Sequence, residues 1–366
     1  MFLFKKRKAL CLFLSIYTLL SFPMCHSLAK GAPSSDTNEE AVSALSEDVK
    51  VGSRLIELFF GKNTEEKTVL IPGGEVFGIK LKQDHVSVVE CGKIPALKRG
   101  DILTSINGRT VKNLEDVTTI LNECKGGAME IVAKRGDDQF KIEVRPSCED
   151  GEYKLGISLR DSALGIGTVT FIDPNTKEFG GLGHGICDGD TGEIISMESG
   201  EVRSVILGGV HKGEAGKPGE LTGILTEEDQ GDLYKNSECG VFGIITGDLK
   251  TDSNAMPLGK KEDVHSGNAT IISTVKNGKK SEYKIEISEV DKSSVGSKSF
   301  KIKVTDPTLK ALTGGIVRGM SGSPIIQDGK LVGAVTHVMV ADPTEGYGIF
   351  IENMLNVAEM PMAKAS

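Results

Sequence analysis

The segment Gly319-Met320-Ser321-Gly322-Ser323-Pro324 sets a hydroxyl between glycines and just ahead of an apolar run. A serine hydroxyl can attack a carbonyl when its Oγ is exposed and backbone N–H groups stand ready for the oxyanion that develops. Glycines on both sides permit the tight turn that aims such N–H groups inward, here those of Gly319 and Ser321. Ser321 is therefore the candidate nucleophile and Ser323 the alternative, although a plain Gly/Ser turn between strands fits the same letters. A base must accompany such a hydroxyl, with a carboxylate to orient it. Of six histidines, His26 falls near the N-terminus, His85 in an early strand-rich region, and His211 and His265 in polar stretches. His184 sits in Gly180-Gly181-Leu182-Gly183-His184-Gly185, where a loop after a strand can present it. Asp306 follows the alternating strand Phe300-Lys301-Ile302-Lys303-Val304. It can orient an imidazole or cap a helix opening at Pro307, and one carboxylate does not easily do both.

The elements that must hold these residues are mostly strands. After Ser147-Cys148-Glu149-Asp150-Gly151, read as a hinge, short β-rich runs alternate with glycine turns, including an Asn277-Gly278 hairpin signal. No long amphipathic helix competes there, so an antiparallel barrel domain over residues 148–366 is expected. Ahead of it, residues 67–147 carry a Gly-bearing loop before a strand, then Arg99-Gly100-Asp101-Ile102-Leu103 and Ile106-Asn107-Gly108. Asn113 then caps a helix whose apolar face is Leu114, Val117, Ile120 and Leu121. This order resembles a PDZ domain, an α+β module that takes a peptide as an added strand. The resemblance implies that the loop at Phe77, Gly78 and Ile79 receives a peptide carboxylate or C-terminal tail.

Composition bounds the rest. The 366 residues suit two domains and a leader, and the formal net charge of −8 with interspersed signs excludes a nucleic-acid-binding stripe. Lys5-Lys6-Arg7-Lys8 and an apolar run from Ala9 to Met24 predict a signal peptide cleaved after Ala29, or an uncleaved anchor, over residues 1–29. A polar linker, with one short helix, is expected over residues 30–66. The bulk of the protein should lie outside the cytoplasm. Seven cysteines without CxxC spacing give no disulfide framework. His184, Cys187 and Asp188 have ligand chemistry, but no second pair matches them in spacing, so no metal or cofactor is expected.

The Ser321 segment resembles the G-D-S-G-G-P box of chymotrypsin-like peptidases, with Met320 and Ser323 replacing Asp and the second Gly. With Gly165-Ile166-Gly167-Thr168, Gly183-His184, Thr305-Asp306 and Gly333-Ala334-Val335-Thr336-His337, the chain looks like the stage IV sporulation protein B peptidases. The resemblance implies a mainly β protein, a PDZ-like module followed by a chymotrypsin-like double β-barrel. It makes His184 the base, Asp306 its orienter and Ser321 the nucleophile, with Gly319 and Ser321 forming the oxyanion hole. His337 falls where related folds line the first specificity pocket, and Gly315 where trypsin-like enzymes carry an acid, so a preference for Lys or Arg is not supported. The resemblance also implies self-cleavage near the N-terminus and export to the space between the forespore and mother-cell membranes. There the substrate would be a membrane-bound regulator of an intramembrane metalloprotease, upstream of a late sigma factor. The competing expectation is a non-catalytic PDZ adaptor with an inactive barrel.

Overall fold

The computed structural model describes residues 69–358 except 190, 248–253 and 277. The expected leader, the linker and its short helix lie outside the described residues. In chain order the elements that matter are β1 (Val69–Pro72), β2 (Val76–Glu90), β3 (Ile102–Ile106), α1 (Leu114–Cys124), β4 (Met129–Arg135) and β5 (Asp138–Val144). Then come β6 (Ser158–Ile172), β7 (Glu178–Gly181), β8 (Met197–His211), β9 (Glu220–Ser237) and β10 (Gly240–Ile245). The last third holds β11 (Gly267–Lys276), β12 (Lys279–Ser288), β13 (Phe300–Val304), α2 (Pro307–Thr313), β14 (Pro324–Gln327), β15 (Lys330–Met339), β16 (Asp342–Phe350) and α3 (Ile351–Ala358). The protein is mainly β, as expected.

Two barrels form. In the first, antiparallel ladders run β2–β6–β7–β10–β9–β8 and return from β8 to β2, closing a ring. Phe77, Ile79, Leu81, Val169, Phe179, Leu233 and Val241 fill it. In the second, β11–β12–β13–β16–β15–β14 close on themselves. β13 shows why: Phe300, Ile302 and Val304 are buried while Lys303 is exposed, so one face lines the core. Closure leaves no long strand edge to be guarded against other chains.

The PDZ-like module lies between β2 and β6, and both strands run through it. Val76 to Lys82 pair with β6 inside the first barrel, whereas Ser87 to Glu90 pair with Arg160 to Ser158 inside the module. Val86 and Ser87 add β3, which continues to β4 and β5, while α1 covers a core of Val88, Leu103, Ile106, Val117 and Ile131. The expected boundary at residues 147/148 is thus displaced. Residues 76–82 belong to the barrel, and Ser158–Arg160 to the module. The change of domain within β2 is a register shift between Lys82 and Ser87, not a turn, so no glycine or proline marks it.

Candidate active site

Ser321 sits in the turn between α2 and β14, where the second barrel meets the first. Gly322 has φ +95°, and a Cβ there would lie against Thr168 O and within 2.5 Å of Leu182 N, so only glycine fits. Gly319, at φ +96°, lets the turn approach Leu221, whose side chain would stand 3.0 Å from an added Cβ. Met320 N donates to Val317 O (3.1 Å) and Ser323 N to Met320 O (3.0 Å), which tightens the loop. Met320 is fully buried in the second core, so the residue that replaces Asp of the G-D-S-G-G-P pattern is a packing anchor. Gly319 N–H and Ser321 N–H make none of the backbone bonds that hold this turn.

The first barrel clasps the turn. On β6, Thr168 and Thr170 point to one side as alternation requires. Thr168 Oγ1 donates to Gly319 O (2.7 Å), Thr170 Oγ1 to Gly322 O (2.8 Å), and Thr168 N to Ser321 O (2.9 Å). Leu182 N bonds Thr168 O at 3.2 Å, which carries the His184 loop to the same strand. Leu182 and Gly183 take left-handed backbone conformations, and the chain turns sharply before His184.

His184 Nδ1 meets Gly185 O at 2.9 Å. A carbonyl only accepts, so Nδ1 carries the proton there and Nε2 keeps its lone pair, the tautomer a general base needs. Burial pushes the imidazole pKa down, with the Gly185 carbonyl working the other way. Asn236 anchors this loop: its Oδ1 accepts from Ile186 N (2.9 Å), and its Nδ2 donates to Ile186 O (2.9 Å) and Ile195 O (3.0 Å). Ser321 Oγ donates to Thr336 O at 2.7 Å, so the hydroxyl must leave that carbonyl before it can engage a base. Sequence reasoning missed Thr168, Thr336 and Asn236, because a threonine in a strand and an asparagine at its end carry no distinctive signal.

Ser323 is fully buried, and its hydroxyl bonds Met320 O (2.7 Å) and Ser273 Oγ (3.1 Å), so it serves the turn. Asp306 is a correction. Its Oδ1 accepts from Thr308 N (2.8 Å) and Leu309 N (3.0 Å) as the N-cap of α2, and its Oδ2 from Lys284 N (3.3 Å). Partial burial opposes its charge, but the Leu309, Lys284 and Thr308 N–H groups win and hold the carboxyl below the usual range. Both oxygens are thereby committed. No carboxylate among the described residues hydrogen-bonds to His184.

His337 stands beside His184, with ring centroids 4.9 Å apart and planes at 39°. Gly315 has no room for a side chain: at φ +147°, a Cβ there would run into Pro343 O. Phe77, Gly78 and Ile79 are also corrections. They lie inside β2, paired with β6 on one side and, at Gly78 and Ile79, with β8 on the other. Phe77 packs edge-on to Phe179 in the barrel core at 5.7 Å between centroids. The loop of matching character that faces the module is Leu155-Gly156-Ile157. Gly156 is exposed at φ +67°, while Leu155, Ile157 and Leu159 pack on the module core. Leu114 N donates to Asp161 Oδ2 (2.9 Å), tying the start of α1 to β6.

The PDZ domain of the SdrC-like protein (Lmo2051) from Listeria monocytogenes is 26% identical over 21% of this chain and 90% of its own, with a TM-score of 0.19. The active form of the Rv3671c protease from M. tuberculosis is 9% identical over 56% of this chain and 77% of its own, with a TM-score of 0.33. Its inactive form is 11% identical over 52% and 81%, with a TM-score of 0.30. No curated protein matches. The family model described as SpoIVB peptidase S55 matches residues 151–355, more than half of the chain and all of the Ser321 and His184 surroundings, and the chain belongs to that family of serine peptidases.

Proposed function

We propose that the chain is an endopeptidase in which Ser321 attacks the scissile carbonyl and His184 Nε2 takes the hydroxyl proton, returning it to the leaving amine. The N–H groups of Gly319 and Ser321 receive the oxyanion. The carrying observation is the turn itself, with Ser321 on a glycine-flanked loop clasped by Thr168 and Thr170 next to the His184 loop. Gly185 O sets the imidazole tautomer, the part that a carboxylate plays in the familiar triad. The barrels take a protein substrate, and the PDZ-like module presents it. An extended peptide adds beside β6 at residues 157–160, with its carboxylate on the Leu155-Gly156-Ile157 loop. Membership of the family supports a role in sporulation signalling. In that role the protein is exported between the forespore and mother-cell membranes, trims its own N-terminal region, and cleaves a membrane-bound regulator of an intramembrane metalloprotease.

The bond from Ser321 Oγ to Thr336 O favours a second reading, an adaptor without activity. The full chain and its Ser321→Ala variant, followed by intact mass and by a fluorophosphonate probe, separate the two. Self-trimming and labelling in the wild type that vanish in Ser321→Ala are the expected result. A wild-type chain that neither trims nor labels refutes the peptidase reading.

A further inference from the structure

We propose that His337 is a positioning residue for the base: its ring packs on His184 and fixes the plane from which Nε2 reaches the Ser321 hydroxyl. The inference rests on the reading of His184 as the base. It answers a question the site poses, since Gly185 O sets the tautomer of His184 but no carboxylate among the described residues holds its ring.

The strand is built to deliver this contact. Along the β15–β16 ladder Val335 faces Gly348 and Val338 faces Gly346, so β15 spends three steps where β16 spends two. The extra residue is a β-bulge at Thr336 and His337. A regular strand would send neighbouring residues to opposite faces, and a bulge re-aims one of them. Both residues therefore meet the site. Thr336 O receives the Ser321 hydroxyl at 2.7 Å, and the His337 ring meets the His184 ring at 4.9 Å. Thr336 is itself pinned, its hydroxyl proton shared between Ser297 O (2.8 Å) and Tyr347 O (3.1 Å), so the bulge is a fixed platform. One strand thus sets the position of the nucleophile and of the base together.

His337 Nδ1 is enclosed and has no hydrogen-bond partner among the described residues. The titratable groups that act on the ring are His184 on the facing loop and Lys298, whose Nζ lies 5.2 Å from the Tyr347 ring centroid on β16. Burial first, then the charge that His184 carries when protonated and that of Lys298, push the His337 pKa down to about 4. His337 is uncharged near neutrality, and the proton taken from Ser321 resides on His184 beside a polar, neutral neighbour.

The test is the rate of Ser321 labelling by a fluorophosphonate, measured against pH on the full chain as wild type, His184→Ala, His337→Ala and His337→Phe, with thermal unfolding of each. Removing the ring should slow labelling by about 10- to 100-fold, the scale of a misplaced reacting group. It should also raise the pH midpoint, because water then reaches His184 and eases its protonation. His337→Phe restores the packing, recovers most of the rate, and answers for the ring if the alanine variant fails to fold. A wild-type rate and midpoint in His337→Ala overturn the proposal. So does an equal loss in both variants with an unmoved midpoint, since the imidazole nitrogens, and not the packing of a ring on His184, would then carry the effect. Normal labelling with an altered choice of cleaved peptide also overturns it, since His337 would then read substrate. If His184→Ala labels like wild type, the base itself is misassigned; if it is silent while His337→Ala labels normally, only the positioning role falls.

Discussion

Replacing Asp306 by asparagine separates two roles that its place in the chain allows. As the cap of α2, the carboxylate satisfies the N–H groups of Thr308 and Leu309, with a weaker bond from Lys284 N. Asparagine caps helices about as well as aspartate, whereas alanine gives up roughly 0.5–2 kcal/mol. Asp306→Asn should therefore leave both stability and Ser321 labelling within about threefold of wild type, as expected for a half-buried cap whose bonds come from neutral donors. Asp306→Ala should lower the midpoint of thermal unfolding by roughly 2–4 °C for each kcal/mol lost, with labelling reduced no more than that loss of order explains. The assay is labelling rate at neutral pH beside a thermal scan of the same samples. In a Ser-His-Asp enzyme, the asparagine exchange at the orienting aspartate costs about 10⁴ in turnover with the fold intact. A fall of that size in Asp306→Asn at an unchanged unfolding midpoint would refute the cap assignment and place this carboxylate behind His184. The pH signature follows from the lowered carboxyl pKa: capping by Asp306 is complete above the ordinary carboxylate range and fades only as pH falls through the lower folded value.

Gly322→Ala should cost at least about 3 kcal/mol and abolish labelling, since its Cβ would collide with Thr168 O at a left-handed backbone, and a soluble variant with a normal unfolding midpoint would contradict this. Phe77→Ala should destabilise the first barrel by about 3–5 kcal/mol, whereas Gly156→Val should spare the barrel and weaken peptide capture by the module. Calorimetry and peptide titration on both variants distinguish core from groove. Because burial lowers the His184 pKa, the base stays neutral below the pH at which a free imidazole protonates. Labelling should therefore rise through a midpoint under the ordinary histidine value of about 6.5, and a midpoint above it would show the imidazole to be solvated or charge-paired.

The β class, the barrel after residue 150 and the Ser321 turn were legible because they are local: alternation in Phe300–Val304, glycines around Ser321, Asn113 before an apolar helical face. His184 stood out among six histidines only because a Gly-rich loop after a strand can present it, and its role as base came from the resemblance. Asp306 was misassigned because the same letters, a strand followed by Asp-Pro, serve a cap as well as a triad, and only the Thr308 and Leu309 N–H groups decide between them. Phe77-Gly78-Ile79 and Leu155-Gly156-Ile157 share the hydrophobe-Gly-Ile pattern of a carboxylate loop. Which one faces the module depends on pairing between residues some 80 positions apart, and single-sequence periodicity says nothing about that. The His337 contact depends on a bulge, which is a property of two strands and is invisible in either alone.

The continuity of β2 and β6 through barrel and module makes the molecule more like a cask with a handle forged from two of its own staves than like beads on a string. A fragment beginning at residue 148 would keep Ser321, His184 and every residue of the chemistry, yet lack the stave that closes the first ring between β6 and β8. Its exposed edges would invite pairing with other chains, so such a fragment should aggregate rather than cut. The same joinery lets force applied to the handle travel along covalent backbone into the barrel. Thr168, eight residues beyond the module's last pairing at Arg160 on the same strand, grips the loop that carries the nucleophile.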